Sequence, residues 1–327
     1  MKNKYKALII GAGSIGALKP YEFDSPESKQ IYTHAHACYS HPEIELVGIV
    51  DSNIDRAVVA ALKWNTNPFK SIDQFFNPAC IQLPDIVIVA VNTENHYDTI
   101  HQLIPYKPKV IICEKPFCMN YEQAKNISEL CEQAGIGLII NYQRTFVPEL
   151  KQLSDYLKSG VYGDIYNFTL RYSRGLLREA SHAFYWCLQT FGNAISRINK
   201  GGPVLDSPLK GDYSCFLDMV SDLCPYIHFI PNASRTILGS AYSTYNADIY
   251  TEDGRIELLD NWKTIRFHEN VKSTYGPYPA TGLLFTDKTT QLDQALTFLL
   301  DYTIKNIDNI PVDPCALEVH KHLKLSV

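Results

Sequence analysis

The sequence predicts an α/β protein in which a doubly wound parallel sheet is followed by an α+β domain with an antiparallel sheet. Strand and helix patterns alternate along the first half of the chain, which is typical of parallel sheets. Beyond Pro148, strands with polar alternation dominate, which favours antiparallel pairing. A chain of 327 residues is long for a single core. We therefore predict two domains, residues 1–143 and residues 144–327.

A glycine-rich turn follows the first predicted strand, residues 7–10, and has the pattern Gly-x-Gly-x-x-Gly. Such a turn leaves the strand sharply, brings backbone close to a pyrophosphate and starts a helix whose amides face an anion. Its N-terminal position after a strand predicts a Rossmann domain that binds a dinucleotide. The residues predicted to bind it here are Gly11, Gly13, Ser14, Ile15 and Gly16.

Asp51 ends the second predicted strand, residues 46–50. A carboxylate at this position accepts hydrogen bonds from the adenosine ribose hydroxyls and repels a 2′-phosphate. Neither Ser52 nor Asn53 brings a cation, so NAD is predicted as the cofactor, with NADP as the alternative.

Residues 17–33 interrupt the usual strand–helix–strand unit. Asp51 lies 35 residues beyond Gly16, whereas about twenty are expected, which indicates an insertion of about fifteen residues. Pro20 stops the first helix after about one turn, and helical pattern resumes over 29–40. Two interpretations stay open for the insertion: a tolerated surface loop, or a flap over cofactor or substrate.

The remaining elements follow from apolar periodicity, caps and turns. In the first domain, the helices are predicted at 55–63, 96–103 and 121–134, the last capped by Asn120 and closed by Gly135, and the strands at 85–91, 110–113 and 136–142. In the second domain, a helix is predicted at 149–158 and strands at 166–172, 235–245, 247–250, 255–259 and 264–268, with a hairpin turn at 252–254. Residues 201–234 have no clear pattern.

Glu114-Lys115-Pro116 follows the strand 110–113, at the sheet edge where open α/β sheets bind ligands. A lysine there can donate to a hydroxyl or carbonyl oxygen and can act as a general base. Taken alone, the tripeptide is a charged turn.

Several segments together resemble the glucose–fructose oxidoreductase / inositol dehydrogenase (Gfo/Idh/MocA) family. They are the glycine turn, Asp51, His96, the Glu-Lys-Pro tripeptide, residues 141–148 and residues 160–165. The resemblance implies a Rossmann domain followed by an α+β domain with an open antiparallel sheet, through which family members often form dimers or tetramers. It also implies NAD(P)-dependent oxidation or reduction of a ring carbon in sugars, cyclitols or nucleotide-linked sugars.

The same resemblance assigns site residues in the first domain. Lys115 is expected to be catalytic and to precede a cis proline, with Glu114 as a cofactor neighbour. Asn92 and His96 are expected near the cofactor, although Val91-Asn92-Thr93 departs from the family's usual Thr-Pro-Asn. Arg144 is a candidate substrate contact, and its alternative is a salt-bridged surface arginine.

In the second domain, the family places an aspartate and a histidine four residues apart. His182 fills the histidine position and is expected to assist catalysis, but Arg178 stands where the family has aspartate. A cation near Lys115 would favour its neutral, basic form. Arg178 could also hold a substrate carboxylate or phosphate in its planar fork. On a strand, the adjacent Glu179 would point to the opposite face.

Composition bounds the function. The chain has 46% apolar and 20% charged residues and a net charge of -5. This charge gives no electrostatic indication of nucleic-acid binding. No apolar run approaches membrane-spanning length, so no membrane partner is expected. Nine scattered cysteines without a Cys-x-x-Cys pair predict reduced thiols in the cytoplasm and no metal site.

Two functional hypotheses remain from the sequence. The first is an NAD(P)-dependent oxidoreductase acting on CH–OH groups of a small sugar-like substrate. The second is a catalytically silent dinucleotide-binding sensor or scaffold of the same fold, which Arg178 in the aspartate position motivates.

Overall fold

The computed structural model describes residues 4–77, 83–192, 197–205, 207, 212–232, 245–272 and 279–323. The chain divides into two compact units. One comprises Met1–Phe146 and Asp293–His320, and the other comprises Val147–Leu292 and Lys321–Val327.

The first unit contains a six-stranded parallel sheet of order β3-β2-β1-β4-β5-β6, as the sequence predicts. Its strands are β1 (Tyr5–Ile10), β2 (Ile44–Val50), β3 (Pro68–Phe69), β4 (Ile86–Val89), β5 (Val110–Cys113) and β6 (Gly137–Ile140). Its first helices are α1 (His34–Ser40), α2 (Ile54–Lys63), α3 (Ile72–Phe75), α4 (His96–Leu103) and α5 (Tyr121–Ala134). The strand order reverses between β1 and β4, and in open α/β sheets ligands bind at the carboxyl ends of the strands at such a point.

Local chemistry explains where these helices begin and end. Asn120 caps α5 because its side-chain oxygen accepts from the Gln123 amide at 2.9 Å, and Gly135 closes the helix at φ 69°. The predicted helical start at residue 29 is wrong. Thr33 is the N-cap of α1, and its hydroxyl accepts from the His36 amide at 3.2 Å.

The second unit contains an eight-stranded sheet of order β14-β13-β12-β11-β7-β10-β9-β8. Its strands are β7 (Ile165–Tyr172), β8 (Arg197–Val204), β9 (Ser214–Val220), β10 (Ile227–Pro231), β11 (Tyr245–Thr251), β12 (Gly254–Leu259), β13 (Thr264–Lys272) and β14 (Pro279–Thr289). Two helices accompany them, α6 (Pro148–Lys158) and α7 (Ser181–Phe191). The β7–β10 pair is parallel and the other ladders are antiparallel, so the sheet is mixed.

The predicted strands of this unit are mostly found. The hairpin turn is confirmed, since Thr251 pairs with Gly254. Of the predicted strand 235–245, residues 235–244 lie outside the described residues, and Tyr245 begins β11. The described part of 201–234 contributes β9, β10 and the end of β8.

The last part of the chain returns to the first unit through α8 (Ala295–Asn306) and the start of α9 (Pro314–His322). Leu296, Leu299 and Leu300 join the buried core of that unit, and Val312 bridges to Leu138 on β6. The predicted division assigns 293–320 to the second domain, whereas in the structure these residues pack with the first unit. No helix among the described residues is long and apolar enough to cross a membrane.

Candidate active site

Two of the three glycines in the turn, Gly11 and Gly13, differ in the physical reason for glycine at their position. Gly11 has φ +104°, and a Cβ there would lie 2.5 Å from the carbonyl oxygen of Ala90. Gly13 has no positive φ, and no described atom outside residues 12–14 lies within 4 Å of the position its Cβ would take. The packing of the chain therefore requires glycine at 11 but leaves open space above 13. That space fits a bound group which must approach the backbone, as a dinucleotide pyrophosphate does.

Asp51 joins the end of β2 to the glycine turn. Its Oδ2 accepts from the Ala12 amide at 2.9 Å, and its Oδ1 accepts from the Asn53 amide at 2.9 Å. The Arg56 guanidinium also donates to Oδ1, at 3.0 Å, and its side chain is 53% exposed. Neither Ser52 nor Asn53 brings a cation, as the sequence shows, but Arg56 in the first turn of α2 places one beside Asp51.

Glu114 lies directly after β5 and is buried. Its Oε1 accepts from His34 Nε2 at 2.7 Å and from Asn141 Nδ2 at 2.6 Å. Its Oε2 accepts from the Lys115 amide at 3.3 Å. Burial raises the pKa of Glu114, but the hydrogen bond and charge of His34, with Asn141 and Lys115, outweigh burial and hold the pKa below its ordinary value. Glu114 is therefore a carboxylate at neutral pH.

Lys115 is half-buried, and the Lys115–Pro116 peptide bond is cis, as the resemblance implies. The lysine leaves the carboxyl end of β5, next to β4 and within the unit that carries the glycine turn. An amine in this position has the chemistry to exchange a proton with a hydroxyl.

His96 connects the turn after β4 to this segment. Its Nδ1 lies 3.0 Å from the carbonyl oxygens of Pro116 and Phe117, and its Nε2 lies 3.0 Å from the carbonyl oxygen of Val91. Burial lowers the pKa of His96. These contacts make His96 a brace between two loops, whereas Asn92, at the start of the turn, is exposed.

His320, from α9, braces the same segment from the other side. Its Nε2 accepts from the Cys118 amide at 3.3 Å, and its ring packs edge-on against Phe117. Burial, with the nearby His96, lowers the pKa of His320 to about 4, so the ring is neutral and can accept this bond. The sequence offers no signal for this contact, because it joins residues about two hundred positions apart.

Arg144 is buried in the short 3-10 segment Gln143–Phe146, which follows β6. Its burial argues against the alternative of a surface arginine. Its contact with substrate stays a prediction.

In the second unit, Arg178 and His182 lie on consecutive helical turns. Leu176–Ala180 is a π-helical segment that continues directly into α7. Glu179 therefore does not point away from Arg178 as it would on a strand, and the two side chains form an ion pair at 3.4 Å. His182 is buried in the first turn of α7.

Asp212 holds the start of this helical segment. The buried carboxylate accepts from the amides of Leu176, Leu177 and Arg178 at 3.0, 3.0 and 3.1 Å. A Cβ at Gly175 would lie 2.0 Å from its Oδ2. Asp212 therefore satisfies amides that begin a helix, and the sequence hides it in a stretch without pattern.

Residues 5–142 match the model of an oxidoreductase family with an NAD-binding Rossmann fold. The matching family is Gfo/Idh/MocA. The predicted resemblance is thereby confirmed, and with it the nicotinamide dinucleotide as the cofactor class.

Curated relatives of this chain include the rhizopine catabolism protein MocA of Rhizobium meliloti, 27% identical over 50% of this chain and 45% of that protein. Another is the scyllo-inositol 2-dehydrogenase (NAD(+)) of Bacillus subtilis, 24% identical over 77% of this chain and 72% of that protein. The matched region spans less than half the length of the first relatives, 45% and 40%.

Solved structures share the fold along nearly the whole chain. An oxidoreductase from Agrobacterium radiobacter, in complex with NAD+, L-tartaric acid and magnesium, has a TM-score of 0.73 at 14% identity. It covers 98% of this chain and 95% of that one. The likeness extends the agreement in fold beyond the Rossmann residues to the α+β unit.

Proposed function

We propose that this chain is an NAD-dependent oxidoreductase that transfers hydride between nicotinamide and a ring carbon of a sugar, cyclitol or nucleotide-linked sugar. The observation that most supports it is Lys115, half-buried beside the ionised Glu114 at the carboxyl end of β5. The dehydrogenase relatives support the same chemistry.

The cofactor would be held by the glycine turn and Asp51. Amides of the turn would face the pyrophosphate above Gly13, with Ser14 and Ile15 beside it. Asp51 would accept from the adenosine ribose, while Asn92, His96 and Glu114 would form or brace the nicotinamide side. When bound, the nicotinamide accepts hydride from the carbinol carbon or returns it.

The chain's own residues would handle the proton. In oxidation, the neutral Lys115 amine takes the hydroxyl proton while the C–H electron pair leaves as hydride, and the alcohol becomes a ketone. In reduction, the Lys115 ammonium gives that proton back to the new alkoxide. The resemblance assigns His182 to assist this transfer, and Arg144 and Arg178 to hold substrate.

A direct test measures hydride transfer with a panel of cyclitols, sugars and nucleotide-sugars by absorbance of the reduced nicotinamide. Turnover with at least one ring alcohol or ketone is expected. Tight NAD binding without turnover on the whole panel would instead favour the sensor or scaffold hypothesis.

The scattered cysteines support a reducing compartment, the cytoplasm, as the place of action.

Cofactor choice gives one prediction. Replacing Asp51 with Ser removes the repulsion of a 2′-phosphate and releases the exposed Arg56 guanidinium to bind it. A charge-assisted bond of about 1.5 kcal/mol is worth roughly tenfold, so preference should shift toward NADP by about tenfold. Titration calorimetry with both cofactors measures this shift. The double variant Asp51→Ser/Arg56→Ala is the control, and a gain of NADP affinity that persists there contradicts the role of Arg56.

Self-association through the eight-stranded sheet gives another prediction. Phe216, Tyr250 and Phe285 are 38%, 42% and 53% exposed on β9, β11 and β14. Exposed aromatic side chains on a sheet favour an association surface. We propose a homodimer or homotetramer through this face. The double variant Phe216→Glu/Phe285→Glu should be monomeric by light scattering, while Leu62→Glu, at a 78% exposed position on α2, should keep the parent mass. A parent protein that is already monomeric contradicts the proposal.

A further inference from the structure

The insertion, which the structure narrows to residues 19–33, is looped out between the glycine turn and α1, and the hydrogen-bond register of α1 continues across it. In an α-helix each amide donates to the carbonyl four residues earlier. Two bonds cross the insertion, His34 N to Ile15 O at 3.0 Å and Ala35 N to Gly16 O at 2.9 Å, and just before it Ala17 N donates to Gly13 O at 2.9 Å. If residues 19–33 are skipped, every one of these bonds spans four positions. The helix therefore resumes at His34 as though the fifteen residues 19–33 were absent.

Polar groups on both sides of the insertion are satisfied by the insertion itself and by Trp64 at the end of α2. The carbonyl of Ala17 accepts from Trp64 Nε1 at 2.8 Å, and the amide of His36 donates to the Thr33 hydroxyl at 3.2 Å. The buried Asp24 accepts from His36 Nδ1 at 2.7 Å. These contacts lie with α1 and the far end of α2, which supports the surface-loop interpretation over the flap.

The hydrogen-bond register of α1 brings His34 into contact with Glu114. His34 is 1% exposed, and its bond to Glu114 Oε1 joins α1 to the end of β5. Asn141, from the end of β6, holds the same oxygen, and the Lys115 amide donates to the other one. The charged or titratable groups that face Glu114 are His34 from α1, His96 from α4, Cys113 on β5, and Lys115.

We propose that His34 is a positioning residue for Lys115. It fixes the Glu114 carboxylate from the helix of the glycine turn, and that carboxylate holds the backbone from which the lysine side chain leaves. The in-register insertion preserves this contact despite the added chain. The proposal rests on the proposed function of Lys115.

The first test follows the stability of the cofactor-free protein against pH. In the parent, Glu114 has a lowered pKa, so its stabilisation is present above its ordinary value of 4.5 and is lost as pH falls through the lowered pKa. In His34→Leu the donor is gone and burial dominates, so the pKa of Glu114 should rise above 4.5. Stability relative to the parent should then fall as pH rises from 4.5 toward 7, and infrared spectra should show the Glu114 carboxyl protonated in that range.

Rescue and kinetics separate positioning from general damage. His34→Gln keeps an N–H donor and should restore the parent titration, whereas His34→Leu should lower kcat on the order of tenfold with the Kd of NAD nearly unchanged. An unshifted Glu114 titration in His34→Leu, or a shifted titration with an unchanged kcat, overturns the proposal. Failure of the proposed function is seen separately, as turnover that persists in Lys115→Ala.

Two deletions test the register. Removing 19–33 should leave Glu114 titrating as in the parent, because His34 then follows Ile15 by four positions. Removing only 20–33 leaves one residue more before His34 than the first deletion does. That residue turns the helix by about 100° and moves His34 away from Glu114. That shorter deletion should titrate like His34→Leu. Identical titrations in the two deletions overturn the proposal.

Discussion

Lys115→Ala is expected to lower kcat by about 10³-fold, within the range that a positioned acid or base contributes, while NAD still binds. The reason is that the methyl group of alanine has no proton to exchange with the substrate oxygen. The glycine turn and Asp51, which hold the dinucleotide in our proposal, lie on other strands and keep their contacts. Stopped-flow absorbance gives kcat, and fluorescence titration gives the Kd of NAD.

Two further variants make that result specific. Lys125→Ala removes an exposed lysine of α5 that pairs with Glu129 at 3.8 Å, and it should leave kcat unchanged. Lys115→Arg keeps a positive charge but remains protonated at neutral pH, so it should be nearly as slow as the alanine variant. Turnover that persists in Lys115→Ala would contradict a proton-transfer role, and full activity in Lys115→Arg would mean that the charge alone is needed.

The parallel sheet could be predicted because its strands carry their own signal. Strands buried on both faces read as continuous apolar runs, and the caps of α5 are local residues. The two-residue strand β3 and the four-residue helix α3 are too short for any periodicity. The return of α8 to the first unit depends on packing against residues far away in sequence, which a local pattern cannot reveal.

In the candidate site, too, only features with a local sequence signal could be predicted. The glycine turn, Asp51 and Glu114-Lys115 could be predicted as candidates because each is recognised from residues adjacent in sequence. His34 contacts Glu114 across 80 positions, and Asp212 reaches Arg178 across 34, so neither has a local signature. The helical turns around Arg178 depend on Asp212, which a distant part of the chain supplies. The position of Arg56 near Asp51 could be predicted from the sequence, since a residue in the first turn after the Asn53 cap lies beside the end of β2.

Gly13→Val is expected to weaken NAD binding at least about 100-fold without lowering the Tm. A Cβ at this position meets no described atom outside residues 12–14 within 4 Å, so the added side chain starts in open space and should leave the fold in place. A pyrophosphate approaching the turn would meet that side chain and lose charge-assisted bonds to the amides. Two such bonds at about 1.5 kcal/mol each correspond to the stated loss. Titration calorimetry measures the affinity, and thermal unfolding without cofactor measures the Tm.

Gly11→Ala is the matched substitution, because it adds a smaller side chain to the same turn with the opposite expectation. Its φ of +104° and the Ala90 carbonyl at 2.5 Å mean that the methyl group strains the backbone itself, at a cost of about 1–3 kcal/mol. This variant should therefore lower the Tm of the cofactor-free protein. A Gly13→Val protein that unfolds early, or that binds NAD as the parent does, would mean that the open space above residue 13 is not the path of the pyrophosphate. The two variants therefore separate a glycine that the fold requires, Gly11, from one that cofactor binding requires, Gly13.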